Sequence, residues 1–190
     1  MSTSVSQTYE ASSVPADRLG MWWFLASEIT IFGAIVVTFV LLRWHHPEWA
    51  DHAKHMMSWA GALNTFILLT SSLTVVLAHR EAERENPAKA RMFLMSTIGL
   101  GLLFLCVKAV EYTHEIKAGF LPSENLYWGF YFFMTGLHAL HVIIGLAVMT
   151  YFLLSFRLSI RRLEYIGLYW HLVDIVWIFL FPLLYLGNLS

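Results

Sequence analysis

Residues 19–42 read LGMWWFLASEITIFGAIVVTFVLL and hold one ionisable side chain, Glu28, in 24 positions. A helix crosses a bilayer with about 20 apolar residues at about 1.5 Å of rise each. Backbone amides in lipid must bond within their own segment, which a helix achieves. Four further runs of the same kind follow, Trp59–Ala78, Met92–Val107, Tyr127–Phe156 and Leu168–Leu186. The chain therefore reads as all-α, an integral membrane bundle of five transmembrane helices. The spans fall at 19–43, 59–79, 91–115, 127–156 and 168–187.

Of 190 residues, 58% are hydrophobic and 13% are charged. That charged share is about half of what a soluble domain carries. The spans leave room for a polar tail over 1–18 and one five-helix domain over 19–190. The tail lacks the basic start of a secretory signal. Cys106 stands alone, which excludes an internal disulfide and a thiolate-rich metal centre. A net charge of −1 gives no reason to expect a nucleic-acid partner.

Orientation follows from the basic residues. Arg18, Arg80, Arg84, Lys89, Arg91, Arg157, Arg161 and Arg162 collect on the side of the N-terminus. Arg43, Lys54, Lys108 and Lys117 collect on the other. Positive residues favour the cytoplasm, so the N-terminus is expected inside and the C-terminus outside. Trp22, Trp23 and Trp170 would mark the inner interface. Trp44, Trp49, Trp59, Trp128 and Tyr185 would mark the outer one. The outer loop carries His45, His46, His52 and His55, which read as solvated rather than as metal ligands. Gly61 with Thr65, and Gly99, Gly101, Gly136 and Gly145, are candidates for close helix contacts.

Ionisable groups at depth need a partner or a role. Glu28 falls near the middle of the first span. It is either a proton-active group or a neutral carboxyl bonded to a facing helix. Glu111 and His114 share a face at i, i+3, a spacing that supplies half of a di-iron ligand set. A carboxylate–imidazole hydrogen bond at the interface is the alternative. His138 and His141 repeat the spacing, as do His171 and Asp174. Haem ligation would need facing histidines at matched depth. His138 and His141 are expected to share one face and compete for the same space, and His171 is expected near the cytoplasmic end of the last span, about half a helix from them in depth. Hydrogen bonds joining helices are the preferred reading, and Asn64 joins that group. Lys108 is expected to snorkel to the outer interface. Phosphate loops, zinc helices and nucleophile–base arrangements do not occur in the sequence.

Four segments resemble subunit III of the haem–copper terminal oxidases. They are Gly20-Met-Trp-Trp-Phe-Leu-Ala-Ser-Glu28-Ile-Thr-Ile-Phe-Gly, Lys108-Ala-Val-Glu111-Tyr-Thr-His114, Phe133-Met-Thr-Gly-Leu-His138-Ala-Leu-His141-Val-Ile-Ile-Gly and Tyr169-Trp-His171-Leu-Val-Asp174-Ile-Val-Trp177-Ile-Phe-Leu-Phe. The last two are the long and specific ones.

The resemblance implies a non-catalytic subunit of a proton-pumping cytochrome c oxidase in the bacterial inner membrane. It implies no cofactor on this chain, with haems and copper in partner subunits I and II. Subunit I would be the direct neighbour, with phospholipid in a cleft and a respiratory supercomplex as wider context. Glu28 matches the family's buried glutamate near that cleft. His138, His141, His171, Asp174 and Trp177 match positions that look structural. Seven-helix members have two further helices that wall the cleft, and this chain has five spans. A quinol oxidase and a relative associated with nitric oxide reductases are the near alternatives. An independent haem or di-iron oxidoreductase, or a small proton-coupled carrier using Glu28, belongs to a different class.

Overall fold

The computed structural model describes residues 16–49, 56–155 and 159–185. His52, His55, Lys54 and most of the polar tail lie outside them. Among the described residues there are five helices and no strand. They are α1 Ala16–His45, α2 Ser58–Glu83, α3 Pro87–Lys117, α4 Leu126–Leu154 and α5 Ile160–Tyr185. Each is long and apolar enough to cross a membrane.

The helices outrun the apolar runs because polar first and last turns can stand beyond the lipid. α2 ends in a turn in which Glu85 takes a left-handed conformation (φ 58°). Asn86 then caps α3 by accepting the Lys89 amide at 3.3 Å, and Pro87 opens that helix. Asn125 caps α4 in the same way, accepting the Trp128 amide at 3.0 Å. α3 closes on Gly119, whose φ of 94° suits a residue without a Cβ.

α2, α3, α4 and α5 pack as one body, and α1 lies along α4 and α5. Glycines set the closest approaches. A Cβ on Gly61 would meet the Phe181 ring at 2.7 Å. Cβ atoms on Gly101 and Gly145 would meet the Trp170 indole at 3.0 and 2.9 Å. Trp170 of α5 is thus wedged between notches in α3 and α4, with its Nε1–H donated to Ser71 Oγ of α2 at 2.9 Å. Gly99 has open space on its Cβ side. The notch is therefore specific to Gly101.

The aromatic boundary markers divide into two sets. Trp22, Trp23, Trp44 and Trp59 are exposed. Trp170, Trp128, Trp49 and Tyr185 are buried instead, and belong to the core. Large rings near span ends can serve either purpose, because each offers apolar area with a polar tip.

Candidate functional site

Four buried side chains form a closed circuit in the half of the bundle where α5 ends. The Lys108 ammonium of α3 donates to the hydroxyls of Tyr131 (3.2 Å) and Tyr185 (2.7 Å). It lies 3.3 Å from Glu111 Oε2. Both phenols donate in turn to Glu111 Oε1, Tyr131 at 2.6 Å and Tyr185 over a shorter contact. The ammonium thus meets two hydroxyl acceptors and faces one carboxylate oxygen as an ion pair. Rings of Tyr112, Tyr131, Trp177 and Tyr185 surround the ammonium at 5.0–5.5 Å, adding cation–π attraction in a dry site. Residues from α3, α4 and α5 are tied at one point.

This corrects two expectations. Lys108 does not snorkel: it is 3% exposed and points inward. His114 does not bond Glu111: it is exposed on the outer side of α3. Helix geometry gives the reason. At about 100° per residue, Lys108 and Glu115 fall within about 60° of Glu111 on one side. His114 falls about 60° on the other, outside the packed face. Glu115 is also buried, one turn beyond Glu111, and neither of its carboxyl oxygens has a hydrogen-bond partner among the described residues.

Glu28 meets His141. Its Oε2 is 3.0 Å from His141 Nε2, with both side chains 13% exposed, so α1 is joined to α4 near the middle of each helix. The other ring nitrogen, Nδ1, lies 2.8 Å from the Leu137 carbonyl. A carbonyl only accepts, so Nδ1 carries a proton. The Nε2–Oε2 hydrogen bond then requires one more proton, held either by the imidazole or by the carboxyl. Tyr169 of α5 donates to the His141 carbonyl at 2.9 Å and completes the junction.

His171 Nδ1 pairs with Ser72 Oγ of α2 at 2.8 Å. His171 lies 11 residues after Ile160 and 14 before Tyr185. It therefore stands mid-helix, because α5 begins well ahead of the apolar run. Asp174 is buried beside the same Ser72 hydroxyl without a formed hydrogen bond. Trp177 donates to Thr65 Oγ1 at 3.1 Å.

His138 differs from its neighbours. It is fully buried, its ring 5.5 Å from Phe104 and 5.1 Å from Trp177, and neither nitrogen is hydrogen-bonded among the described residues. Asn64 likewise makes no described side-chain hydrogen bond. Their expected helix-joining bonds are thus replaced by packing. His138 and His141 do not compete for one space as expected: the histidines point to separate partners, His141 to α1, His171 to α2 and His138 into the aromatic core. Among the described residues no group of three or more His, Cys, Asp or Glu side chains is gathered as a metal site. Where α1 ends, His46 stacks on Trp49 and contacts Glu48 at 2.7 Å, and His45 contacts the Leu41 carbonyl.

At the other end of α1, Asp17 accepts from Arg161 (3.2 Å) and from Tyr165 (3.0 Å). Below these exposed contacts, α1, α4 and α5 enclose an apolar cleft of about 280 Å³. Met21, Phe24, Val148, Phe152 and Tyr169 line it, with Arg162 at its edge.

Sequence reasoning missed Tyr131, Tyr185 and Glu115. The usable signal was Lys108 itself, since a lysine and a glutamate three apart inside an apolar run call for internal partners.

Residues 5–188 match the model of the family described as cytochrome c oxidase subunit III. The heme-copper oxidase subunit I+III of Aeropyrum pernix is 31% identical over 90% of this chain, which spans 23% of that protein. The probable quinol oxidase subunit 3 of Staphylococcus haemolyticus is 29% identical, with 95% of this chain and 92% of the relative covered. The cytochrome c oxidase subunit 3 of Alkalihalophilus pseudofirmus is 32% identical, with 88% and 85% covered.

Proposed function

Because the chain belongs to the cytochrome c oxidase subunit III family, we propose that it is a non-catalytic subunit of a proton-pumping terminal oxidase, bound beside subunit I. Oxygen reduction, haems and copper belong to subunits I and II. This chain stabilises subunit I, holds phospholipid and supports proton uptake. It lies in the bacterial inner membrane with its N-terminus in the cytoplasm, within reach of a respiratory supercomplex.

One observation carries this reading. Most of the ionisable side chains at depth are committed to bonds between helices: Lys108 and Glu111 to Tyr131 and Tyr185, Glu28 to His141, His171 to Ser72. Groups so committed build a scaffold and leave ligation to other chains. A relative that carries subunits I and III in one polypeptide supports direct contact with subunit I. The apolar cleft beside Arg162 supports the lipid role, because it would take an acyl chain with a headgroup near the guanidinium. Glu28 and His141, joined by a hydrogen bond that holds an exchangeable proton, support the link to proton uptake.

Cytochrome c is the donor preferred for the complex. A quinol is the second reading, favoured by the name of the staphylococcal relative. A copper-ligating domain in the co-purified subunit II would select the first.

Affinity purification of the tagged chain tests the whole. A haem-bearing subunit I should co-purify, and the chain stripped of it should show no Soret band. Stoichiometric iron or copper on the isolated chain would overturn the proposal.

A further inference from the structure

Two exposed ion pairs tie the N-terminal end of α1 to α5, beside the apolar cleft. Arg18 lies 3.5 Å from Glu164, and Asp17 lies 3.2 Å from Arg161. Tyr165 donates to the same Asp17 carboxylate at 3.0 Å. These five side chains border a small space of about 160 Å³. Tyr165 also lines the larger apolar cleft of about 280 Å³. One residue therefore belongs both to the charged contacts and to the wall of the cleft.

The attachment of α1 changes along its length. From Glu28 toward its C-terminal end, α1 is fastened to α4. Glu28 bonds His141 at 3.0 Å, Phe32 packs on the same imidazole, and Phe39 packs on Tyr127 and Phe130. Phe32 and Phe39 are buried. From Glu28 toward the N-terminal end, ring and charge contacts go to α5 instead. Phe24 meets Tyr169 at 6.0 Å, and the two ion pairs follow. In that half the cleft lies between α1 and α4, with Met21 and Phe24 on one wall and Val148 and Phe152 on another. Asp17 to Glu28 is roughly 16 Å of helix at about 1.5 Å per residue. It is a lever with one packed end and one end held by charge.

The charged end is built to let go. Its four ionic side chains are 39–67% exposed. Exposed pairs are weak, and salt screens them. The Lys108–Glu111 pair, by contrast, is buried beyond the reach of salt.

We infer that the N-terminal half of α1 is a gate on the cleft, pivoting at Glu28–His141 and latched by Arg18–Glu164 and Asp17–Arg161. What it admits is a phospholipid acyl chain, so the gate rests on the reading of the cleft as a lipid site. Release of the latch frees Tyr165 from Asp17 and lets α1 lean away, and the chain in the cleft exchanges. Closure retains it.

The test uses the purified complex containing the full chain, in detergent micelles. These are mixed with micelles of a phosphatidylcholine that carries a diazirine on one acyl chain. Irradiation at intervals, followed by mass spectrometry, gives the rate at which adducts appear on Met21, Val148 and Phe152. Adducts on Phe66 of α2, exposed and outside the cleft, report mixing. Relative to Phe66, raising the salt concentration should speed cleft labelling about threefold, as expected for weak exposed pairs. Glu164→Arg, which sets like charges together, should do the same at low salt. Arg18→Glu combined with Glu164→Arg restores an opposite pair and should restore slow labelling. Asp17→Asn with Glu164→Gln should label fast at every salt concentration. Equal rates in all these proteins would overturn the latch while leaving the lipid site in place. Absence of cleft adducts from every protein would overturn both. Should the variants fail to assemble, the salt dependence of the unaltered complex decides the matter.

Discussion

Glu28 of α1 and His141 of α4 are joined by a hydrogen bond of 3.0 Å that carries a proton beyond the one His141 already gives to the Leu137 carbonyl. The ion pairs of Asp17 and Arg18, by contrast, join α1 to α5. α1 is also the least buried of the five helices within its apolar window. A single polar contact thus has a large share in fixing how α1 sits.

Glu28→Gln keeps a hydrogen-bonding side chain of the same size and removes the exchangeable carboxyl proton. Haem spectra of the complex should be unchanged, while proton uptake and durability under turnover should fall more than initial turnover. Glu28→Ala should in addition loosen α1, at a cost of about 1–3 kcal/mol from an unpaired, partly buried imidazole. Spectra, stopped-flow proton uptake and turnover-dependent inactivation separate the two effects. Immediate loss of the haem signal in Glu28→Gln would contradict the assignment.

Lys108→Met leaves the Glu111 carboxylate buried without its cation. Removing one partner of a buried pair costs about 3–5 kcal/mol. The double variant Lys108→Met with Glu111→Gln removes both charges and should recover most of the loss. Thermal unfolding in detergent, read as a double-mutant cycle, measures the coupling. Additive losses would mean that the two residues do not act as a pair.

The five spans were legible because lipid imposes a length and forbids unpaired amides. The direction of a side chain around its helix was not. In a soluble helix an apolar stripe marks the inside, but here lipid makes the outer face apolar too. Lys108 could therefore be read as reaching outward, and His114 as sharing a pocket with Glu111. Tyr185 and Trp128 were indistinguishable from a belt of interfacial rings, since the same amphipathic side chain suits both places. Polarity at depth did survive as a signal: Glu28, Glu111, His141, His171 and Trp177 all bond another helix. Partner identity was lost, because it depends on register between helices distant in sequence.

His138 and His171 should respond oppositely to loss of the imidazole. His138→Phe keeps the ring contacts with Phe104 and Trp177 and removes two buried nitrogens without described partners, so stability should hold or rise. His171→Ala strands the Ser72 hydroxyl, and should weaken retention of this subunit by about 1–3 kcal/mol. Detergent titration of the complex, followed by the ratio of this chain to subunit I, compares them directly. A larger loss in His138→Phe than in His171→Ala would point to a ligand or a partner on His138.

Gly101 and Gly99 occupy the same apolar run two residues apart, yet only Gly101 faces a notch. A methyl group at Gly101 would meet a Leu146 methyl at 2.7 Å and the Trp170 ring at 3.0 Å. Leu146 can rotate, but Trp170 is held by Gly145 on its other side and by its hydrogen bond to Ser71. Gly101→Ala should therefore cost about 1–3 kcal/mol through overpacking. Gly99→Ala meets nothing within 4 Å and should be neutral or stabilising, since alanine loses less backbone freedom in a helix. Thermal unfolding of the two variants gives the sign of each effect. Equal destabilisation would mean that Trp170 is not seated between α3 and α4 as described.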